Sequence, residues 1–222
     1  MIVVHHLNNS RSQRVLWLLE ELGVPYDIRR YQRDSKTMLA PPELKAVHPL
    51  GKAPVVEEDG HVLAESGAMI EHFADRYGDG KLARPHGSPA RFQYIYWLHY
   101  AEGSAMPPLL LKLLFDKILE APMPFFARPI VRRVYQGAMS AFIGPQLKLH
   151  LDYLEGALAN REWFLEGEFS AADVQMSFPV EAAVARGGLD ESRPHLMAWL
   201  RRVHARAAYQ RALERGGPYG FV

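Results

Sequence analysis

Residues 2–28 read I-V-V-H-H-L-N-N-S-R-S-Q-R-V-L-W-L-L-E-E-L-G-V-P-Y-D-I. Ile2 to Leu7 is a short β-type run. Polar Asn8, Asn9 and Ser10 follow. Val15, Leu18, Leu19 and Leu22 then recur at helical spacing, and Gly23 and Pro25 end that helix in the expected order. Val24, Tyr26 and Ile28 alternate with polar neighbours and read as a second strand. A strand, helix and strand of this length predict a parallel pair joined by a crossover.

Working outward, Ala53–Glu57 and His61–Ala64 flank Glu58-Asp59-Gly60. Asp-Gly between two β runs predicts a hairpin. Gly67 to Tyr77 carries Ile70, Phe73, Ala74 and Tyr77 on one helical face. The order is β-α-β, a polar connection, then β-β-α, so the sheet mixes parallel and antiparallel pairs. Residues 78–89 are rich in helix breakers and short of apolar side chains, and read as a linker. From residue 88 onward the pattern is helical, broken by prolines at 107, 108, 122, 124 and 129. Ser170-Ala171-Ala172-Asp173 is a capping box, with Phe169 and Val174 placed as a hydrophobic staple.

The 222 residues suffice for one large domain or two small ones, with 48% hydrophobic and 23% charged residues. Twenty-six basic against 25 acidic side chains leave a formal charge of +1, which removes the bulk electrostatic case for nucleic acid. The absence of cysteine excludes disulfides, thiolate metal sites and a cysteine nucleophile. Residues 1–10 are too short and polar for a signal sequence, and no apolar run approaches ~20 residues. The expectation is a cytoplasmic protein with no membrane or nucleic-acid partner. Dinucleotide and P-loop signatures are absent. His5 and His6 lie on a β run and point to opposite faces, so no shared metal is expected. The arginines at 128, 132, 133, 201, 202 and 206 read as solvated helix faces.

Three features of the first eighty residues point to one chemistry. Ser10 stands before a helix start, where unpaired amides favour an anion, and its hydroxyl can donate to that anion or simply cap the helix. Ala53-Pro54 opens a strand where proline must take an edge, a first position or a tight turn. Glu65-Ser66 precedes another helix start; its hydroxyl and amide can hold a carboxylate and Glu65 an ammonium, or Ser66 can cap.

Four strings together resemble the glutathione transferase family over essentially the whole chain. N-N-S-R-S-Q-R-V-L-W-L-L-E-E-L-G at 8–23 looks like its catalytic loop and first helix. H-P-L-G-K-A-P-V-V at 48–56 looks like its proline loop, and L-A-E-S-G-A-M-I-E-H-F at 63–73 like its glutamyl-binding turn. The box at 170–173 matches its capping box. The resemblance implies an α+β thioredoxin-like domain over residues 1–80, an all-helical domain over 88–222, and a homodimer. It also implies that Ser10 stabilises the glutathione thiolate, that Ala53 pairs with the cysteinyl unit beside a cis Pro54, that Glu65 and Ser66 hold the glutamyl end, and that Lys52 contacts the glycyl carboxylate.

Two departures narrow the chemistry. Cysteine-dependent thiol transfer is excluded, and no tyrosine stands in the catalytic loop; Asn9 and Ser12 are alternatives to Ser10. For the electrophile pocket, Tyr96, Tyr100 and Gly103 share one helical face, which reads as core or as pocket. The expected function is activation of glutathione, as co-substrate and without metal, for attack on a small hydrophobic electrophile in detoxification. A glutathione-dependent peroxidase and a non-catalytic binding protein are the alternatives.

Overall fold

A computed structural model describes every residue except Ser35, Lys36, Met38 and Val222. The first half forms β1 (Ile2–Leu7), α1 (Ser12–Leu22), β2 (Tyr26–Tyr31), α2 (Glu43–Val47), β3 (Val55–Glu58), β4 (His61–Ala64) and α3 (Ser66–Tyr77). The sheet order is β2-β1-β3-β4. β1 runs parallel to β2 and antiparallel to β3, and β3 is antiparallel to β4. This is the mixed, thioredoxin-like sheet expected from the sequence. Gly23 ends α1 with a left-handed φ of 66°, a conformation that costs glycine least.

Some boundaries differ. β2 begins at Tyr26 rather than Val24, because the fixed φ of Pro25 still belongs to the turn. Glu58 lies in β3, which leaves Asp59 and Gly60, both at positive φ, as the hairpin turn. The polar connection contains α2, a helix of 5 residues too short to show periodicity.

The helical half comprises α4 (Pro89–Tyr100), α5 (Met106–Glu120), α6 (Arg128–Ala138), α7 (Gly144–Ala157), α8 (Ala171–Ala182), α9 (Pro194–His204) and α10 (Ala207–Gly216). π-helical turns at Ala101–Ala105 and Met139–Ile143 join α4 to α5 and α6 to α7. Pro107 and Pro108 therefore do not break a helix. They sit in the first turn of α5, directly after the π turn.

Residues 12–19 of α1 are buried on all sides. One side faces β1 and α3; the other meets α8 and α10 of the helical half. Trp17 marks this junction, with its ring edge-on to Tyr209 and 5.6 Å from Phe169. Burying a side chain of that size contributes roughly 1.5–3 kcal/mol. Arg206 is not a solvated residue: it pairs with Glu21 at 2.5 Å and stacks 3.7 Å over Phe169. The capping box forms, with the Ser170 hydroxyl accepting from the Ala172 amide and the Asp173 carboxylate returning to the Ser170 amide at 3.0 Å. Among the described residues, no helix is long and apolar enough to cross a membrane.

Candidate active site

Strand register brings the three candidate segments to one end of the sheet. Val55, the first residue of β3, pairs with His5 near the end of β1 and with Ala64 at the end of β4. The loop leaving β1, the Ala53–Pro54 segment entering β3 and the Glu65–Ser66 turn leaving β4 must then emerge side by side. The Ala53–Pro54 bond is cis, as the resemblance implied. Ala53 precedes the paired residues, so its main chain lies outside the ladder, and Lys52 beside it is exposed.

Ser10 is buried at the entrance to α1. Its hydroxyl accepts the Ser12 amide at 3.2 Å and lies 2.7 Å from the Ser12 hydroxyl, while its carbonyl accepts the Gln13 amide at 3.2 Å. It thus does the work of a cap and retains one hydroxyl hydrogen. Ser12 is wholly buried, and its oxygen is surrounded by Ser10, His6 Nδ1, the Leu7 amide and the Leu7 carbonyl. The Asn9 side chain accepts the Gly220 amide at 2.7 Å. His5 and His6 point to opposite faces: His5 meets Tyr31 and Glu57, and His6 meets Ser12.

Helix α3 begins one residue earlier than expected, at Ser66, and Glu65 is left exposed at a φ of 67°. That left-handed conformation is unusual for a residue with a side chain. Ser66 does not cap α3. Its hydroxyl accepts the guanidinium of Arg14 at 2.5 Å, which leaves the Ser66 hydrogen as a free donor. Arg14 also donates to the Gln175 carbonyl at 2.6 Å and to the Glu102 carboxylate. Arg11 reaches both Glu102 oxygens at 2.9 Å. Burial acts to raise the Glu102 carboxyl, but Arg14 and Arg11 outweigh it and hold it below the usual carboxylate range.

Tyr96 and Tyr100 share a face, as their spacing predicted. That face meets α7: the Tyr96 hydroxyl is 2.8 Å from the Tyr153 hydroxyl, and the Tyr100 hydroxyl is 2.6 Å from His150 Nδ1. Other side chains pack against residues 9–11. From the helical half they include Glu102, on the π turn beside Gly103, and Phe178, whose ring lies 5.0 Å under the Arg11 guanidinium. The chain end returns here as well, with Tyr219 donating to Glu181 at 2.6 Å and Phe221 packed on Phe178. Sequence reading missed Arg14, Glu102 and Phe178. Only a basic residue amid the apolar positions of α1 hinted at any of them.

The layout is that of a thioredoxin-like domain joined to a helical bundle, with the candidate polar residues gathered at the carboxyl end of β1. Residues 10–76 match the glutathione S-transferase N-terminal domain, and residues 116–207 match the glutathione S-transferase C-terminal domain. The chain is 38% identical to glutathione S-transferase 3 of Schizosaccharomyces pombe over 97% of its length and 88% of that protein. It is 33% identical to glutathione S-transferase 1 of Saccharomyces cerevisiae over 99% of its length and 97% of that protein. A solved glutathione S-transferase from Actinobacillus pleuropneumoniae superposes with a TM-score of 0.83 at 31% identity, covering 100% of this chain and 95% of that one. The chain belongs to the glutathione S-transferase family.

Proposed function

We propose that this chain, a glutathione transferase by family, ionises the thiol of glutathione beside Ser10 and presents it to an apolar electrophile. Strand register carries this reading, because it sets Ser10, Ala53-Pro54 and Glu65-Ser66 at one end of the sheet. An extended tripeptide laid across them meets Ser66 and Glu65 with its glutamyl end, the main chain of Ala53 with its cysteinyl unit, and Lys52 with its glycyl carboxylate.

A free thiol of pKa about 8.5 is mostly protonated at neutral pH. The α1 amides and a hydroxyl donor favour the thiolate, and attack proceeds directly, without a covalent enzyme intermediate. The sulfur attacks the electrophilic carbon, the leaving group departs with the bonding pair, and the thiol proton passes to solvent. The electrophile approaches the sulfur from the side of the helical half, where the Arg11–Glu102 pair over Phe178 forms the wall. Tyr96, Tyr100 and Gly103 lie on the helix and turn that border that side, with the two tyrosine hydroxyls turned to Tyr153 and His150 of α7. The reaction belongs to the cytoplasm, where glutathione is kept reduced.

A homodimer fits the surface. Leu110, Leu114 and Ile118 form an exposed apolar row on α5, and Ile130 and Val134 form another on neighbouring α6.

Turnover of a chlorodinitroarene by Ser10→Ala tests the chemistry. Loss of one donor to a developing anion lowers kcat by about a hundredfold, with the glutathione KM little changed. Unchanged kcat transfers the role to Asn9, Arg11 or Ser12. Parallel reduction of cumene hydroperoxide separates conjugation from peroxidase activity, and failure to bind immobilised glutathione favours a non-catalytic protein.

A further inference from the structure

Behind Ser10 a line of buried polar atoms runs into the sheet. Ser10 Oγ is 2.7 Å from Ser12 Oγ, and Ser12 Oγ is 2.9 Å from His6 Nδ1. The Ser12 amide donates to Ser10 Oγ and the Leu7 amide to Ser12 Oγ, each at 3.2 Å. All three side chains are at most 4% exposed, so apart from the ligand-facing side of Ser10 the pattern is completed within the protein. Each hydroxyl has one hydrogen and two lone pairs, and these numbers leave two arrangements.

In the first, His6 Nδ1 is bare. Ser12 gives it its only hydrogen, and Ser10 must donate inward to the remaining Ser12 lone pair. Ser10 then shows the ligand a lone pair, which repels a thiolate. In the second, His6 Nδ1 carries a hydrogen and fills the second lone pair of Ser12. The Ser12 hydrogen turns to Ser10, which is closer than the alternative acceptor, the Leu7 carbonyl at 3.3 Å. Both lone pairs of Ser10 are now filled and its hydrogen points outward.

We propose that His6, acting through Ser12, is a positioning residue whose Nδ1 hydrogen turns the Ser10 hydroxyl outward as a donor to the bound thiolate. This rests on Ser10 being the group that meets the sulfur. His6 is not the destination of the thiol proton. Burial, reinforced by Arg30 on the neighbouring strand, lowers its pKa to about 4, so the ring stays neutral with a single hydrogen. Beside the ring α10 contributes Gly216, which also borders uncharged Gln13 of α1 and whose neighbour Arg215 accepts Arg30 through its carbonyl. The device fixes a direction rather than relaying a proton.

Nitrogen-15 NMR of the histidine side chains reads the tautomer directly, in the full-length protein with glutathione bound. A neutral His6 protonated at Nδ1 is expected, and a neutral His6 protonated at Nε2 overturns the proposal. Thiolate absorbance of bound glutathione supplies the second measurement. Ser12→Ala and His6→Phe are expected to raise the bound thiol pKa by about one unit and lower kcat about tenfold, the worth of one hydrogen bond to a charged group. The glutathione KM should hold, and His6→Asn, whose amide can donate from the Nδ1 position, should restore the wild-type thiol pKa. If Ser12→Ala, the smaller change, leaves the thiol pKa unmoved, the proposal fails. Ser10→Ala separates the two levels. If it shifts the thiol pKa while the His6 and Ser12 variants do not, only the positioning role is lost; if Ser10→Ala also leaves it unmoved, the reading of Ser10 itself falls.

Discussion

Arg14 on α1 donates to the hydroxyl of Ser66 at the start of α3 across 2.5 Å, from a position 2% exposed. Its other contacts, to Gln175 and Glu102, lie in the helical half. One buried cation therefore orients a proposed glutamyl-binding hydroxyl and ties the two halves together.

Removing that cation exposes the cost of the arrangement. Arg14→Ala leaves Glu102 with Arg11 alone and strips partners from Ser66 and the Gln175 carbonyl. With the Glu102 side chain 31% exposed and still paired to Arg11, the cost falls at the low end for a buried pair, about 3 kcal/mol, read as a drop in the urea midpoint. The glutathione KM should rise as well. Arg14→Met combined with Glu102→Gln should recover part of the stability but not the KM, and a single-variant loss below about 1 kcal/mol would show the pair to be idle.

Acid should destabilise the protein before its carboxylates titrate. The His6 pKa is lowered from 6.5 to about 4, so the unfolded chain binds the proton more tightly than the folded one. The stability is fully present above pH 6.5 and falls as the pH drops towards 4, by about 3 kcal/mol in total. His150, lowered by burial, adds in the same direction. Urea melts at pH 7, 6 and 5 should show the slope, and His6→Asn should flatten it.

Asp173 accepts the amides of Ser170 and Phe164 and the indole of Trp199, each at 3.0 Å, from complete burial. Asp173→Ala should cost about 3 kcal/mol or more, whereas Ser170→Ala should cost about 1 kcal/mol. Thermal unfolding ranks the two, and equal losses would mean that the carboxylate does no more than cap.

The apolar rows on α5 and α6 predict an assembly that a single charge disrupts. Leu114→Glu should convert a dimer to a monomer by light scattering, with little change in helical circular dichroism. A wild-type chain that elutes as a monomer at micromolar concentration removes the prediction's basis.

Much of this molecule is written locally. The β-type run of β1, the apolar spacing of α1 with Gly23 at its end, the Asp59-Gly60 turn and the Ser170–Asp173 box each act within a few residues, so each is legible in order along the chain. The family strings placed Ser10, Ala53-Pro54 and Glu65-Ser66 for the same reason. What spacing could not give is the partner. Tyr96 and Tyr100 share a face in any helix, but only the packing of α4 on α7 turns that face to Tyr153 and His150. Glu102 stands 91 residues from Arg11 and 88 from Arg14, and Gln175 stands 161 from Arg14. The direction of the Ser10 hydroxyl rests on which nitrogen of the buried His6 carries the hydrogen. Such properties come from elements folded against one another, because backbone preference reaches one turn or one strand pair, whereas burial and charge pairing depend on what the rest of the chain brings alongside.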